Sequence, residues 1–530
     1  MQRCEIRSLD LSATDVDRDG VRDFAWPLSW NEQRVFRDAF VASYAALTRD
    51  LQDRLDEDGE LLAILAMEFI QEAMRGWFVA ALMARFHQRG ENISASWLNG
   101  RSAENPSFWQ PQRDRIGFLK SRFPSSAWRG LLRPLYGLLH DDGLSWRWPQ
   151  TTDFRNRIIT TNSCPLTLRH VAQTGERPVL VAMRYWFGAG SDSLPRDLSG
   201  LKLKDETSTA VCNGFVEAAK RNGDTIPPAL LAHLKGWLDD ATAICRWHLH
   251  ALLKRPNALP AQLWTGSGGY IFRRILHVAV RKAGGTVSSH DHGSGVGLFD
   301  LIDTNLTEFV TPDIFVTFSE QQARGYRTQE HDAFRMRKQW PRIEAVRADA
   351  QASMTAKPAR AGKPKTILFV ANQYRGEKMP LTPIEFDLVA VDWQARLFGQ
   401  LQSLGYDVRM RPHPDSASPP PEGFRRMGVA FAGGTFAEAL DSADAVILDY
   451  LHTSVLSDVL LSGKPVMTFE FGHCPPNAVS VDALARRIRF ILGRYDEANR
   501  AQTDWSALPA AIADANNMRE DTTFLTLFAN

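Results

Sequence analysis

The chain has few cysteines, no long apolar run and almost no net charge, and each shortage excludes a class of protein. Its five cysteines are dispersed through 530 residues without a CxxC pair, which argues against a disulfide framework or a zinc knuckle and favours a reducing compartment. The longest apolar stretch, 61–67, stops at Glu68, well short of the roughly 18 residues that a membrane-spanning helix needs. With 62 basic and 61 acidic residues, the chain lacks the basic excess typical of nucleic-acid-binding proteins.

The first residues carry charges and no apolar core, so the sequence predicts no signal peptide. We therefore expect a cytoplasmic protein that is at most peripheral to the inner membrane. The segment 61–86 is rich in aromatic residues and Met, which fits a helix packed against a domain face. An amphipathic helix on a membrane surface would need a basic polar face, and the few arginines in and beside this segment do not supply one.

Apolar residues recur at helical spacing in two N-terminal segments, 30–55 and 61–86. From about residue 178, short apolar runs alternate with helical segments, which is typical of a parallel, doubly wound sheet. A stretch rich in Ala, Lys and Pro interrupts this alternation, which then resumes. The sequence therefore predicts an α/β protein in five parts: a helical extension packed on the N-terminal domain (1–150), an N-terminal Rossmann-like domain (151–346), a linker (347–365), a C-terminal Rossmann-like domain (366–500) and a tail (501–530).

Short apolar runs bounded by turn residues predict the strands of both domains. They are expected at 178–183, 261–264, 286–289 and 313–317 in the first domain, and at 366–371, 407–411, 445–448 and 466–469 in the second. The second domain is also expected to contain helices at 453–461 and 481–492.

Polar side chains follow several predicted strands, where open parallel sheets bind their ligands. Arg411 and His413 end one strand and can hold phosphate oxygens by charge-assisted hydrogen bonds; a rigid surface loop is the alternative. Thr453 and Ser454 stand at the start of a predicted helix that follows a buried strand. They can cap that helix, and the free N–H groups of its first turn can hold an anion.

These two segments together resemble the C-terminal domain of bacterial surface-polymer transferases. The shared features are RPHP at 411–414 and DAVILDYLHTSVLSDVLLSGKPVMTF at 444–469. Similar pairs of segments occur in CDP-glycerol glycerophosphotransferases and in retaining β-Kdo transferases. The resemblance implies a GT-B fold, in which two Rossmann-like domains face a cleft. It also implies that the donor phosphates are bound by His413, Thr453 and Ser454, with Arg411 in support.

A second polar loop follows the first strand of the C-terminal domain. It contains Asn372, Tyr374 and Arg375, which occupy the strand-end position expected of a donor site. An ordinary polar loop would look the same, so these residues, and Arg375 among them, are weaker candidates for donor binding.

The segment SHDHGSGVG at 289–297 is similar to the glycine-rich HG loop of the same families. There the loop faces the interdomain cleft, which implies that Asp291 or His292 acts as base or nucleophile. The loop includes Gly293, Ser294 and Gly295, and the glycines at 295 and 297 would let the backbone approach a ligand. A metal site at His290 and His292, or a plain turn, are the alternatives.

The resemblance implies a glycosyltransferase that moves a sugar from a nucleotide-activated donor to a growing surface polysaccharide or lipid-linked glycan. CMP-Kdo is the favoured donor, because the loop HGSGVG is nearer to the sugar transferases than to the HGTP of the glycerophosphotransferases. No cofactor beyond the donor and no metal are expected, because the sequence has no His, Cys and carboxylate cluster with the spacing of metal ligands. A CDP-glycerol-type polyol-phosphate transferase and an inactive scaffold in a polysaccharide assembly complex are the other two hypotheses.

Overall fold

A computed structural model describes most of the chain. The described residues are 5–11, 14–94, 145–146, 153–161, 164–187, 195, 197–291, 293, 295–329, 332–346, 362–376 and 385–528. Of the predicted linker, residues 347–361 lie outside these ranges.

Two long helices, α1 (Trp30–Asp53) and α2 (Glu57–Gln88), form an N-terminal layer, and both were predicted from apolar periodicity. A capping box starts α1: the Ser29 hydroxyl accepts from the Glu32 N–H at 3.1 Å, and the Glu32 carboxylate accepts from the Ser29 N–H at 2.7 Å. Asp56 caps α2. This region also contains four short strands, β1 (Glu5–Ser8), β2 (Val16–Asp17), β3 (Gly20–Val21) and β4 (Glu91–Ser94).

A seven-stranded sheet forms the first α/β unit, and all of its pairs are parallel. Its strands are β5 (Ser145–Trp146), β6 (Ile158–Thr160), β7 (Val179–Leu180), β8 (Gln262–Thr265), β9 (Thr286–His290), β10 (Ile314–Thr317) and β11 (Arg342–Ala345). They lie in the order β11-β10-β9-β8-β6-β7-β5, so the direction of winding reverses between β6 and β8.

Helices connect these strands, as the alternating pattern predicted. They are α3 (Pro165–Thr174), α4 (Arg184–Phe187), α5 (Asp205–Lys220), α6 (Pro228–Leu253), α7 (Ile271–Lys282), α8 (Asp303–Thr307) and α9 (Glu320–Arg327). The N-terminal layer packs on this unit, because α1 contacts α5 and α2 contacts α6 and α7.

A second seven-stranded sheet forms the other α/β unit. Its strands are β12 (Thr366–Val370), β13 (Asp407–Arg411), β14 (Ala430–Phe431), β15 (Ala445–Leu448), β16 (Val466–Glu470), β17 (Arg489–Tyr495) and β18 (Ala501–Thr503). The order is β14-β13-β12-β15-β16-β17-β18, and only the β17–β18 pair is antiparallel. The winding direction reverses between β12 and β15, and all four residues of β15 are buried, as expected of a central parallel strand.

The helices of this unit are α10 (Asp387–Ser403), α11 (Glu422–Arg426), α12 (Phe436–Asp441), α13 (Leu456–Leu461), α14 (Val481–Arg487) and α15 (Leu508–Met518). Residues beyond 500, predicted as a tail, contribute β18 to the sheet edge and α15 against β16 and β17. The chain is therefore α/β, with two mostly parallel sheets and a helical N-terminal layer.

Two helix predictions in this unit were wrong at one end. The predicted helix 481–492 stops at Arg487, and the chain continues as β17, because β16 offers an unpaired parallel edge and the aromatic and β-branched residues from 489 suit a strand. The helix predicted from Thr453 begins at Leu456. Thr453 lies in a turn instead, since its N–H donates to the Leu451 carbonyl at 2.8 Å and its own carbonyl accepts from the Leu456 N–H.

Both ends of the chain cross to the opposite unit. The β2–β3 hairpin packs on α10 and α11, where the Val21 N–H donates to the buried Asp392 carboxylate at 2.9 Å. Near the C-terminus, the Leu527 carbonyl accepts a 2.7 Å hydrogen bond from the Ser319 hydroxyl, beside α9. One hydrophobic core runs continuously from the N-terminal layer through both sheets.

Candidate functional site

The carboxyl edges of the two sheets meet where the loop after β9 contacts the segments after β15 and β16. Phe299 forms an antiparallel bridge with Pro476. Asn477 fixes this junction, because its backbone N–H donates to the Leu298 carbonyl at 3.0 Å and its side-chain amide donates to the Gly297 carbonyl at 2.8 Å. Backbone and side-chain hydrogen bonds therefore fix the position of one loop relative to the other.

The glycine-rich loop also lies against the segment that carries Thr453 and Ser454. The Phe299 and His452 rings are 6.1 Å apart, and a β-carbon added to Gly295 would lie 3.5 Å from Leu456 Cδ2. The glycine-rich loop and the segment that carries Thr453 and Ser454 are therefore neighbours in space, although more than 150 residues separate them in the sequence.

Asp291 lies at the base of this loop and is only 1% exposed. Its carboxylate accepts from the Tyr326 hydroxyl at 2.8 Å and from the Gly293 N–H at 3.0 Å. Burial and the neighbouring carboxylate raise the pKa of Tyr326, so the phenol keeps the proton that it donates. His292 and Ser294 lie outside the described residues, and the catalytic roles of Asp291 and His292 stay predictions.

Gly297 allows a close approach between two backbone segments of the protein itself. A β-carbon there would lie 2.8 Å from the Tyr326 ring and 2.9 Å from the Gln322 carbonyl oxygen, and one on Gly325 would lie 2.1 Å from the Gly297 oxygen. Such distances are too short for carbon contacts. The small residues therefore let α9 pack directly on the loop, rather than admitting a ligand at this point.

The predicted phosphate-binding residues follow three neighbouring strands: Arg375 follows β12, Arg411 and His413 lie at the end of β13, and Thr453 and Ser454 follow β15. Arg411 donates to the Ala432 carbonyl at 2.9 Å. The half-buried His413 accepts from the Asp415 N–H at 3.2 Å, and burial lowers its pKa, with nearby Arg375 acting in the same direction and Asp415 against it. Arg375 and His413 thus lie close enough to interact electrostatically, as a phosphate site would require.

Arg375 has capacity for a further ligand. Its Nε is buried and has no hydrogen-bond partner among the described residues, while burial lowers the pKa of the guanidinium and Tyr450, Asp387 and Asp303 oppose that effect. Ser454 is exposed in the turn before α13. Thr453 is half-buried, and its hydroxyl accepts a long, 3.5 Å bond from the Val455 N–H.

A narrow pocket opens at the carboxyl edge of the second sheet, between β12 and β15, where the winding reverses. This switch point is where doubly wound sheets bind ligands. The pocket encloses about 690 Å³ not filled by protein atoms, part of it open to solvent. It is lined by Asn372, Gln373, Tyr374, Glu385, Asp387, Ala390, Trp393, Gln394, Asp449, Tyr450, Leu451, Thr468, Phe469, Glu470, Phe471, His473, Cys474 and Ala501.

Two partly buried carboxylates fix the pocket floor by holding the loop after β12. Asp449 accepts from the Asn372 N–H at 2.9 Å and from the Gln394 side-chain amide at 3.0 Å. Asp387 accepts from the N–H groups of Arg375 and Gly376, at 3.0 and 2.7 Å. Burial raises the pKa of each carboxyl to about 6, although these hydrogen bonds lower it. Both carboxyl groups are therefore mostly ionised at neutral pH, and both accept hydrogen bonds from backbone N–H groups or from a side-chain amide.

A third carboxyl, Glu385, belongs to a hydrogen-bonded group on the pocket wall. The Tyr495 hydroxyl donates to Glu385 and lies 2.6 Å from Nε2 of His473. Burial raises the pKa of Glu385 to about 8, against the hydrogen bonds from Tyr495 and the Phe386 N–H, and burial lowers the pKa of His473 to about 3. At neutral pH this wall is thus largely uncharged and rich in hydrogen-bonding groups.

Aromatic rings form the rest of the wall. The Trp393 ring lies 4.7 Å from Phe469 and 5.6 Å from Phe471, centroid to centroid. Trp30, from the N-terminal layer, lies 5.2 Å from the His473 ring. Flat apolar surfaces beside uncharged polar groups suit a planar ring with hydroxyl substituents, and Arg375 stands next to them for an anion.

Sequence reasoning reached only part of this pocket. Tyr450 and Asp449 lay in the segment that carries the resemblance, and Asn372 and Tyr374 were weaker candidates. Glu385, Trp393, His473 and Tyr495 were missed. They come from four separate segments, and no spacing in the sequence shows that they share a wall.

Among the described residues, no group of three or more His, Cys, Asp or Glu side chains is placed to hold a metal ion. Within the same ranges, no helix is both long enough and apolar enough to cross a bilayer. No protein-family model matches the chain, and no curated protein is significantly similar to it.

Proposed function

We propose that the protein is a glycosyltransferase of GT-B architecture that transfers a sugar from a nucleotide-activated donor to a surface polysaccharide or lipid-linked glycan. The observation that supports this most strongly is the pocket at the switch point of the second sheet, next to the junction with the loop after β9. A donor held by one sheet edge beside a loop of the other is the arrangement that transfer between two substrates needs.

The nucleoside of the donor would lie in the pocket at the second sheet, against its aromatic rings, and the donor phosphates would lie beside Arg375 and His413. Trp393 and Phe471 offer stacking surfaces, and Glu385 with its partners offers hydrogen bonds to a base or ribose. Arg375 and His413 would hold the phosphates, together with the turn at Thr453 and Ser454. The sugar would then point toward the loop that begins at Asp291.

CMP-Kdo remains the favoured donor, on the strength of the sequence resemblance. We propose a cytoplasmic reaction, at the surface of the inner membrane if the acceptor is lipid-linked. Metal independence belongs to the same proposal, as does the absence of a nucleic-acid partner.

A binding and turnover experiment tests this proposal. Calorimetry with CMP, CDP, UDP and GDP should identify the nucleotide, and release of that nucleotide from CMP-Kdo, CDP-glycerol and UDP- and GDP-sugars should identify the donor. His413→Ala and Ser454→Ala should each weaken nucleotide binding tenfold or more, because a lost charge-assisted hydrogen bond costs roughly 1.5–3 kcal/mol.

Arg409→Ala is the matched control. Arg409 lies on β13, two residues before Arg411, and pairs with Asp407 away from the carboxyl edge, so its loss should leave nucleotide affinity unchanged. Equal affinity in wild type, His413→Ala and Ser454→Ala would place the donor elsewhere. Turnover of CDP-glycerol alone would favour the polyol-phosphate reaction, and binding without turnover of any donor would favour the scaffold.

A further inference from the structure

Two histidines are joined by a hydrogen bond at the first sheet, immediately before the glycine-rich loop. Nδ1 of His170, on α3, lies 2.9 Å from Nε2 of His290, the last residue of β9. Nδ1 of His290 lies 2.8 Å from the Thr265 carbonyl oxygen. His290 is fully buried, whereas His170 is partly exposed.

The hydrogen bonds fix which nitrogens carry protons. A carbonyl oxygen only accepts, so Nδ1 of His290 must carry a hydrogen. A neutral His290 then accepts at Nε2, and His170 must donate from its own Nδ1. This leaves Nε2 of His170 with a free electron pair, and none of the described residues bonds to it.

Both rings are neutral at pH 7. Burial lowers the pKa of His290 to about 3, and the neighbouring His170 acts in the same direction, with the Thr265 carbonyl opposing. Burial also lowers the pKa of His170. Glu344, on β11, is the charged side chain of another described element that acts on His170, and it raises the pKa without reversing the effect of burial.

A comparison with His277 separates this pair from a purely structural histidine. His277 is fully buried, and both of its nitrogens are occupied, by the hydroxyls of Thr265 at 3.0 Å and Thr311 at 2.8 Å. His170 differs because its ring stacks on Trp264, with centroids 4.3 Å apart and planes within 7°, and because it keeps one nitrogen available. A ring held by stacking, with its tautomer set by a third group, is the arrangement of an oriented general base.

The pair lies near the carboxyl edge of the first sheet. His170 stacks on Trp264 of β8 and bonds to the last residue of β9, so it lies against these two strands. Open parallel sheets bind ligands beyond the carboxyl ends of their strands. His290 is followed directly by Asp291, which begins the loop that meets the second sheet.

We propose that His170 is the general base that deprotonates the acceptor hydroxyl, and that His290 is the positioning residue that sets its tautomer. This inference rests on the proposed glycosyl transfer. The hydroxyl proton passes to Nε2 of His170 while the acceptor oxygen bonds to the anomeric carbon of the donor. The bond from that carbon to the phosphate oxygen breaks, and its electron pair leaves with the nucleotide.

His170→Asn is the decisive variant, because its amide N–H stands near the Nδ1 position and can still donate to His290, while nothing replaces Nε2. The assay uses the donor identified by the binding and turnover experiment above, with water or a glycan as acceptor. We expect the kcat of His170→Asn to be roughly 10²–10⁴-fold lower than that of the wild type. The donor KM should change little. The fall of the wild-type rate below about pH 6.5 should disappear in the variant. His87→Asn, at an exposed position on α2, is the control and should match wild type.

Asp291→Asn, measured in parallel, distinguishes the two candidate bases. If the fall in rate at low pH disappears in Asp291→Asn and persists in His170→Asn, then Asp291 is the base and the proposal is overturned. Full turnover in His170→Asn overturns it as well. Wild-type protein that turns over no donor would overturn the proposed function, and the base role with it.

Nuclear magnetic resonance of ¹⁵N-imidazole-labelled protein gives a readout that does not depend on turnover. We expect His170 to be in the Nδ1–H form with a pKa below 6.5. An Nε2–H tautomer at His170, or a pKa above that value, would refute the assignment even if the variant were slow for other reasons.

Discussion

Replacing Glu385 by Gln should change how the stability of the protein depends on pH. Glu385 is partly buried on the wall of the pocket at the second sheet, and desolvation raises its pKa from an ordinary 4.5 to about 8. Between these values the folded protein keeps a proton that the unfolded chain has lost. The free energy of unfolding therefore falls as the pH rises through this interval, by up to about 1.4 kcal/mol per pH unit.

The interval from pH 7 to 8 isolates this group. The pKa values of Asp387 and Asp449 are about 6, and that of His473 is about 3, so these groups hardly titrate there in the folded protein. A carboxyl with a pKa of about 8 should cost the wild type about 1 kcal/mol over this unit, because its proton is half lost at the upper end. Gln has nearly the same shape, can still accept from Tyr495 and does not titrate.

Urea denaturation of both proteins at pH 7 and pH 8 measures the effect. Taking the difference between the two proteins cancels every group that they share. The wild type should lose about 1 kcal/mol more than Glu385→Gln between the two pH values. Equal losses would mean that Glu385 is already ionised in the folded protein, and that the pocket wall is wetter than its burial indicates.

Three further predictions concern other parts of the molecule. Asp392→Asn should lower the free energy of unfolding, measured in urea titrations, by about 2–3 kcal/mol. Arg396 and Arg500 lose the charge of a fully buried partner, but both arginines are partly exposed, so water compensates part of the loss. A change under about 0.5 kcal/mol would contradict this. Lys464→Met should cost about 2–3 kcal/mol, because the ammonium donates to the carbonyls at the end of α12, and an unchanged melting temperature would show that water replaces it. Nucleotide release by the proposed transferase should continue in EDTA, and a loss of turnover restored by manganese or magnesium would mean that the proposed reaction needs a metal.

The central strands could be predicted from the sequence because burial on both faces leaves a continuous apolar run. The strands 407–411 and 445–448 were predicted at the residues where they occur. The strand predicted at 178–183 is only Val179–Leu180. The first four residues of β17, 489–492, were predicted as the end of a helix, because the pairing of this strand depends on an edge that β16 supplies, which no local pattern records.

The same limit applies to the site. Residues at or directly after the end of a strand, such as Arg411 and Asp291, could be placed at a sheet edge from the sequence alone. His170 and Glu385 could not, because a helix and a distant loop bring them to that edge. The hydrogen bond between His170 and His290 joins residues 120 positions apart, and only the order of the strands makes them neighbours.

Because residues near each end of the chain contact the opposite unit, the two units cannot be separated by dividing the chain before β12 without losing native contacts. A fragment that began at β12 would carry α10 without the β2–β3 hairpin, so Asp392 would lose its bond to the Val21 N–H. A fragment that ended before β12 would lose the Leu527 carbonyl from Ser319. Each unit is contacted by residues from the far end of the sequence. The two units should therefore be produced, engineered and inherited together rather than exchanged as independent modules.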